Sequence, residues 1–295
     1  MKKSFMADSI LLVVAIIWGS GFVATKVLLN AGIQPFYMMG MRFLIAGVSL
    51  GLIFHKRIMK MKKSDVISGL LVGSLLFLAF GSQTVGLAHT TPSKNAFLTG
   101  VNVVVVPFLY WALTNKKPDK YGFAAAFICF GGIYFLSSGG NMSFGLGEFL
   151  SLLCAFLFAG HIVATGHFVD KTGPFILTFL QMIFASIFSF ITAFSMETFP
   201  SAVSHETWLA IMYVGLITTM LAFFLQTWAQ GHTTTTKVAI ILSTEVIFGT
   251  LFSVVLLGEL LTPRMIVGGI AIFLAIITAE TKWDFIKFNR KTVKI

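Results

Sequence analysis

Glu245 is the single carboxylate of residues 235–257, TTKVAIILSTEVIFGTLFSVVLL, an apolar run long enough to cross a bilayer as one helix. Insertion scales put a charged side chain at that depth at roughly 2.5–3.5 kcal/mol for Asp, Lys or Arg, and Glu behaves similarly. The residue must therefore face a bundle interior or a cavity rather than lipid. There it can couple a proton or bind a substrate amine; the structural alternative is a partner for a buried base.

Other polar side chains interrupt the apolar runs in the same way. Arg42 lies about two turns into the second run, where it can hold a substrate carboxylate or pair with carbonyls to lock the first two helices. Lys26, about one turn from the end of the first run, is read as snorkelling to headgroups in preference to binding a ligand. Asn102, at mid-depth in the fourth run, offers a donor and an acceptor to a zwitterion or to a neighbouring helix. His161 can relay protons or bind ligand, against the plainer role of a satisfied packing residue. Gln83 and Gln226 are read as bridging helices at gates, with substrate contact as the alternative, and Trp18 and Trp228 offer aromatic walls. Trp111 and Trp283 suit an interfacial belt.

Composition says what must position these groups. Of 295 residues 57% are hydrophobic and 11% charged, where an average soluble domain has about 25% charged. The chain is an all-α integral membrane protein. Ten apolar segments follow one another at about 7–29, 36–54, 66–88, 93–113, 121–138, 147–168, 174–195, 207–230, 235–257 and 263–281. The first is too long, and too polar in its second half, for a signal peptide, and is expected to remain attached. Cys129 and Cys154 fall inside apolar runs and suggest neither a disulfide framework nor a metal site.

The net charge of +10 reads as a topology signal rather than as a nucleic-acid surface. With a cytoplasmic N-terminus, seventeen of the twenty-one Lys and Arg fall on cytoplasmic segments, only Lys94 and Arg264 fall outside, and Lys26 and Arg42 lie within helices. Ten crossings put both termini in the cytoplasm of a cell bearing the protein in its cytoplasmic membrane. The basic tail, with Trp283, Phe285 and Phe288, reads as a membrane anchor.

An internal repeat organises the chain. Residues 78–98, LAFGSQTVGLAHTTPSKNAFL, overlie 221–241, LAFFLQTWAQGHTTTTKVAII, at one constant offset that pairs Gln83 with Gln226, His89 with His232 and Lys94 with Lys237. Residues 18–25, WGSGFVAT, overlie 158–165, FAGHIVAT, at nearly the same offset. The second-half counterpart of Arg42 is Gln181. Each copy holds five helices, an odd number, so the second copy is inverted in the membrane, an arrangement that suits alternating access about a midplane site. The expected units are a five-helix repeat at 1–140, an inverted five-helix repeat at 141–283 and a cytoplasmic tail at 284–295. Small residues spaced by four, Gly47 and Gly51, Gly69 and Gly73, and Ala271, Ala275 and Ala279, allow helices to approach closely.

The opening WGSGFVATK at 18–26, the run Arg42-Phe43-Leu44-Ile45-Ala46, and Glu245 followed by LLGELLTP at 256–263, in that order across two halves, resemble the EamA branch of the drug/metabolite transporter superfamily. The resemblance covers about 7–281. It implies a ten-helix secondary transporter, commonly an exporter of amino acids or other small metabolites. It also implies a cavity lined by helices one, three, four, six, eight and nine, with five and ten peripheral, and a helix-packing role for Arg42. Many relatives carry Pro directly after the ninth-helix Glu; here Val246 follows Glu245, so no proline kink is expected there.

Rival classes lack their signatures. The sequence has no H-E-x-x-H, no paired Asp, no phosphate loop and no G-x-S-x-G elbow, so no enzyme is expected, and nothing suggests a channel filter. A phosphorylated substrate would want several intramembrane cations, and only Arg42 and Lys26 are candidates. The partners expected are a small-molecule substrate and the lipid bilayer, with no nucleic acid and no cofactor beyond coupled protons. The oligomeric state stays open, and a monomer suffices for a pathway. A small amphipathic metabolite or amino acid is the preferred cargo; cationic drugs, or uptake in place of export, are the alternatives.

Overall fold

The computed structural model describes residues 2–115, 117–137, 145–200, 202–233 and 235–281. The basic tail, with Trp283, lies outside the described residues. Every described element is helical: α1 (Lys2–Asn30), α2 (Pro35–Ile53), α3 (His55–Ile58), α4 (Lys63–Ala88), α5 (Pro92–Gly100), α6 (Asn102–Thr114), α7 (Lys120–Ser137), α8 (Leu146–Thr172), α9 (Pro174–Met196), α10 (His205–Tyr213), a π-helical segment (Val214–Leu221), α11 (Ala222–Gln230), α12 (Thr235–Ser243), α13 (Glu245–Leu257) and α14 (Pro263–Thr281). Seven helical stretches are long and apolar enough to cross a membrane, and three shorter apolar helices, Lys120–Phe135, Ile241–Leu257 and Pro263–Thr278, accompany them. The protein is a multi-pass helical membrane protein.

Local sequence accounts for most boundaries. Proline opens α2, α5 and α9, where the missing N–H would have had no partner in any case. Thr91 and Ser204 accept backbone N–H groups in the first turns of α5 and α10. Gly173 turns α8 into α9 at φ +79°. After α6 and α13 the chain leaves the helix through left-handed residues, Asn115 and Gly258.

Three of the expected continuous segments are interrupted. The fourth breaks at Val101, between α5 and α6, and the ninth at Thr244, between α12 and α13. Both residues keep near-helical angles, and each break is a tightened turn, Val101 N–H donating to Leu98 O at 3.3 Å and Thr244 N–H to Ile241 O at 3.2 Å. No proline sits at either break; Pro107 lies well inside α6. The eighth segment passes through the π-helical turns of Val214–Leu221.

The principal packings are α4 on α8 and α9, α2 on α9, α1 on α13, and α7 on α14. Helix α9 lies between the glycine faces of α2 and α4, as the four-residue spacing anticipates. A Cβ on Gly69 would fall 2.3 Å from Leu180 Cβ, and one on Gly73 2.8 Å from Phe184 Cβ. The side chain of Ala279, the last of the expected alanine series, is outside the described set. Replacing Gly69 by Val is expected to cost about 1–3 kcal/mol by overpacking, read as a lower unfolding temperature in detergent, while Gly131→Ala, which meets nothing within 4 Å, is expected to leave it unchanged.

Candidate functional site

The site is built on the π-helical segment. There the backbone releases the carbonyl ladder from its usual register, and both Thr218 and Thr219 turn their hydroxyls back to Val214 O, at 2.9 and 2.7 Å. Each hydroxyl, having given its proton, presents its oxygen to Arg42. Arg42 Nε donates to Thr219 Oγ1 at 2.8 Å and Nη2 to Thr218 Oγ1 at 3.2 Å. The guanidinium also lies 4.5 Å from the Phe80 ring centroid, a cation–π contact strengthened by exclusion of water. Trp18 Nε1 donates to Thr218 O at 3.0 Å. Helices α1 and α2 are thereby tied to one irregular turn.

Beside this anchor lies a cavity within the bundle. All seven candidates read from the sequence, Trp18, Arg42, Gln83, Asn102, His161, Gln226 and Glu245, line it. They come from α1, α2, α4, α6, α8, α11 and α13. Aromatic wall is added by Phe22, Phe80, Phe158 and Phe223, and neither α7 nor α14 contributes. Helix two reaches the cavity through Arg42, in addition to the six helices that the family resemblance implies.

The candidates differ in how well they are satisfied. His161 is buried, with Nε2–H donating to Gln181 Oε1 at 2.8 Å, and its ring meets Phe158 and Phe223 edge-on. Gln83 Nε2 donates to Thr99 Oγ1 at 3.3 Å, bridging α4 to α5. Asn102 Oδ1 and Gln226 Oε1 are buried with no partner among the described residues. Glu245, 7% exposed, has no hydrogen bond to its carboxylate among the described residues. An unsatisfied buried acceptor costs about 1–3 kcal/mol, more when charged, so a cavity with these acceptors in its wall favours an entering group that donates hydrogen bonds.

Asn102 and Glu245 also share a structural position. Each is the first residue after its helix break, and the boundaries of α5 and α6 recur at one constant offset in α12 and α13.

One sequence reading is corrected and another is given partners. Lys26 Nζ donates to Leu87 O at 2.8 Å and Thr90 O at 2.9 Å, because the final carbonyls of α4 have no helical partner and lie within its reach. Trp228 does not wall the cavity; it stacks on His232 with ring centroids 4.2 Å apart.

Two carboxylates passed over by the sequence reading also matter. Glu148 pairs with Lys94 at 3.3 Å and accepts from Thr90 Oγ1 at 3.2 Å. Glu259 accepts from Ser93 N–H, Ser93 Oγ and Ser253 Oγ. The available signal was a carboxylate at the very edge of an apolar segment, as Glu148 is, but its partner is fixed only by the fold.

The fold is a multi-pass helical bundle with a partly aromatic cavity lined by polar groups, and comparison with known proteins shows its family. The model of the EamA-like transporter family matches residues 5–138 and again 145–280, and the chain belongs to that family. It is 34% identical over 284 residues to a protein of Archaeoglobus fulgidus named as an uncharacterized transporter, covering 95% of this chain and 87% of that one. A second Archaeoglobus fulgidus protein of the same description is 25% identical over 267 residues, covering 86% and 90%. A solved crystal structure superposes with a TM-score of 0.68 at 18% identity, over 93% of this chain and 97% of that one, a likeness of fold. The protein is a membrane transporter.

Removing Arg42 strands two threonine hydroxyls and a cation–π face. Arg42→Ala is expected to destabilise the detergent-solubilised protein by about 2–4 kcal/mol. Arg42→Lys is expected to recover only part of this, since an ammonium lacks the planar fork, as followed by thermal unfolding.

Proposed function

We propose that the protein is a secondary carrier that moves a small amphipathic metabolite, an amino acid or a similar compound, out of the cell. It works by alternating access about the central cavity. The observation that carries this reading is the joining, around one cavity, of the unpartnered acceptors Glu245, Asn102 and Gln226 with the Arg42 guanidinium and an aromatic wall. An ammonium group matches the acceptors, a carboxylate matches the N–H groups that Arg42 does not give to threonine, and an apolar side chain matches Trp18 and the phenylalanines.

The carrier mechanism draws on the repeat. Ten crossings in two inverted halves, with both termini in the cytoplasm of the cytoplasmic membrane, fit the distribution of Lys and Arg. The pairing of helices supports the duplication, since α4 on α8 exchanges with α10–α11 on α1, and α1 on α12–α13 exchanges with α8 on α5–α6, while α2 on α9 and α7 on α14 exchange with themselves. Two halves of one design can swap conformations and expose a midplane site to either side in turn. Glu245 alternates between a proton and the substrate amine, so that the carboxylate does not face the apolar bundle uncompensated.

A second reading, efflux of lipophilic cations, is favoured by one specific feature. Arg42 is already engaged by Thr218, Thr219 and Phe80, which leaves the acceptors and aromatic wall to dominate recognition.

The test is the extracellular metabolite profile of cells overproducing the native chain, beside cells making equal amounts of Glu245→Gln and cells with neither. The expected result is a compound that accumulates outside with the native chain and falls at least about tenfold with Glu245→Gln, the loss of a charge-assisted contact worth about 1.5–3 kcal/mol. Equal export by both proteins removes Glu245 from the mechanism. A compound depleted from the medium would reverse the direction of transport.

A further inference from the structure

Beside one end of the cavity lies a set of charged and polar contacts that the transport site does not use. Two of its lining residues, Thr25 and Leu87, lie at that end. Immediately beyond them Lys26, from α1, donates to Leu87 O and Thr90 O at the finish of α4. Thr90 Oγ1 in turn donates to Glu148 Oε1 in the first turn of α8, and Lys94, in the first turn of α5, pairs with the same oxygen at 3.3 Å. Under this pair the helices touch at backbone distance. A Cβ on Gly147 would fall 2.8 Å from His89 O, and one on Gly86 3.1 Å from Gly147 O.

The chemistry distinguishes these contacts from ordinary packing. Apolar faces within a lipid-embedded bundle gain little from closing, because lipid tails are equally apolar. Charge-assisted hydrogen bonds, by contrast, are directional and are lost abruptly once the partners separate. The Lys94 and Glu148 side chains keep 22% and 11% of their surface accessible, so each can be rehydrated when the pair parts. Lys26, Thr90 and Lys94 belong to the first half of the chain and Glu148 to the second. The network therefore spans the boundary across which the halves would move.

We propose that Lys94 and Glu148, supported by Thr90 and Lys26, form a latch that closes the cavity at the end of the bundle carrying His89, and that opening toward that side requires the Lys94–Glu148 pair to separate. The inference rests on the reading of the protein as an alternating-access carrier. Lys26 acts as a positioning residue here, since it holds the end of α4, and with it Thr90, against α8. Closure of the opposite end needs none of these four residues.

Accessibility of the cavity to a membrane-impermeant, charged thiosulfonate reagent tests this without any transported compound. A single cysteine is introduced by Thr84→Cys, a cavity-lining position, in a background with Cys129→Ala and Cys154→Ala. Labelling is timed from each face in vesicles of both orientations. Lys94→Ala and Glu148→Gln are expected to speed labelling from the His89 face about tenfold, the loss of one charge-assisted bond, with no rise from the other face. Lys94→Arg, which keeps the charge and the donor, is expected to retain the slow rate and controls for loss of folding. Unchanged labelling in both charge-removing variants overturns the latch, and so does a rise from both faces alike, which reports loosened packing. Export by the same variants is scored separately, so failure of the latch and failure of the carrier reading remain distinct results.

Discussion

A guanidinium buried among phenylalanines has to be met by oxygen from somewhere, and Arg42 is met by two threonine hydroxyls presented together by a π-helical turn. In a regular α-helix the hydroxyls of adjacent residues point about 100° apart around the axis. In the wider turns of Val214–Leu221 both Thr218 and Thr219 reach Val214 O and leave their oxygens to the same cation. The charge, the irregular turn and the neighbouring Phe80 ring therefore depend on one another. This arrangement holds α1 and α2 against the eighth apolar segment, and the cavity wall is assembled around it.

The same economy of polar groups shapes the rest of the bundle. Hydroxyls in the apolar interior mostly return their protons to a carbonyl one turn back, as Ser189, Thr178 and Ser151 do. Carboxamides cross between helices, as Gln181 does from His161 to Thr227. Among the buried acceptors without a partner in the described residues, Asn102 Oδ1 and Gln226 Oε1 differ in lining one cavity, which they share with Glu245. Asn102 and Glu245 begin the second part of a broken helix at equivalent places in the two halves. The two equivalent places differ in chemistry, an amide in one half and a carboxylate in the other.

Much of this was legible in the sequence. A lone carboxylate within an apolar run has few places to go, which is why Glu245, Arg42, Asn102 and His161 could be singled out by cost alone and are found around one cavity. The constant offset linking Gln83 to Gln226 likewise anticipated the recurrence of α5 and α6 as α12 and α13. What could not be read has physical reasons. VGLITTML carries no local mark of a π-helix, and the guanidinium that its threonines meet comes from 176 residues away along the chain. Lys26 reads as a snorkelling lysine, and the carbonyls it meets at the end of α4 are set only by the fold. Trp228 has the composition of a cavity wall but faces its own His232. Glu148 looks like an ordinary helix-opening acid, and its importance depends on Lys94, which arrives from another helix.

The central claim is that Glu245 exchanges a proton for substrate within an alternating-access cycle. Proton movement in proteoliposomes holding a trapped pH indicator measures this most directly, once a compound exported by the native chain is in hand. The account requires a proton flux that appears when the compound is added to the native protein and disappears in Glu245→Gln at equal reconstitution. A flux of the same size in Glu245→Gln, or compound movement by the native protein with no proton flux at all, would contradict it.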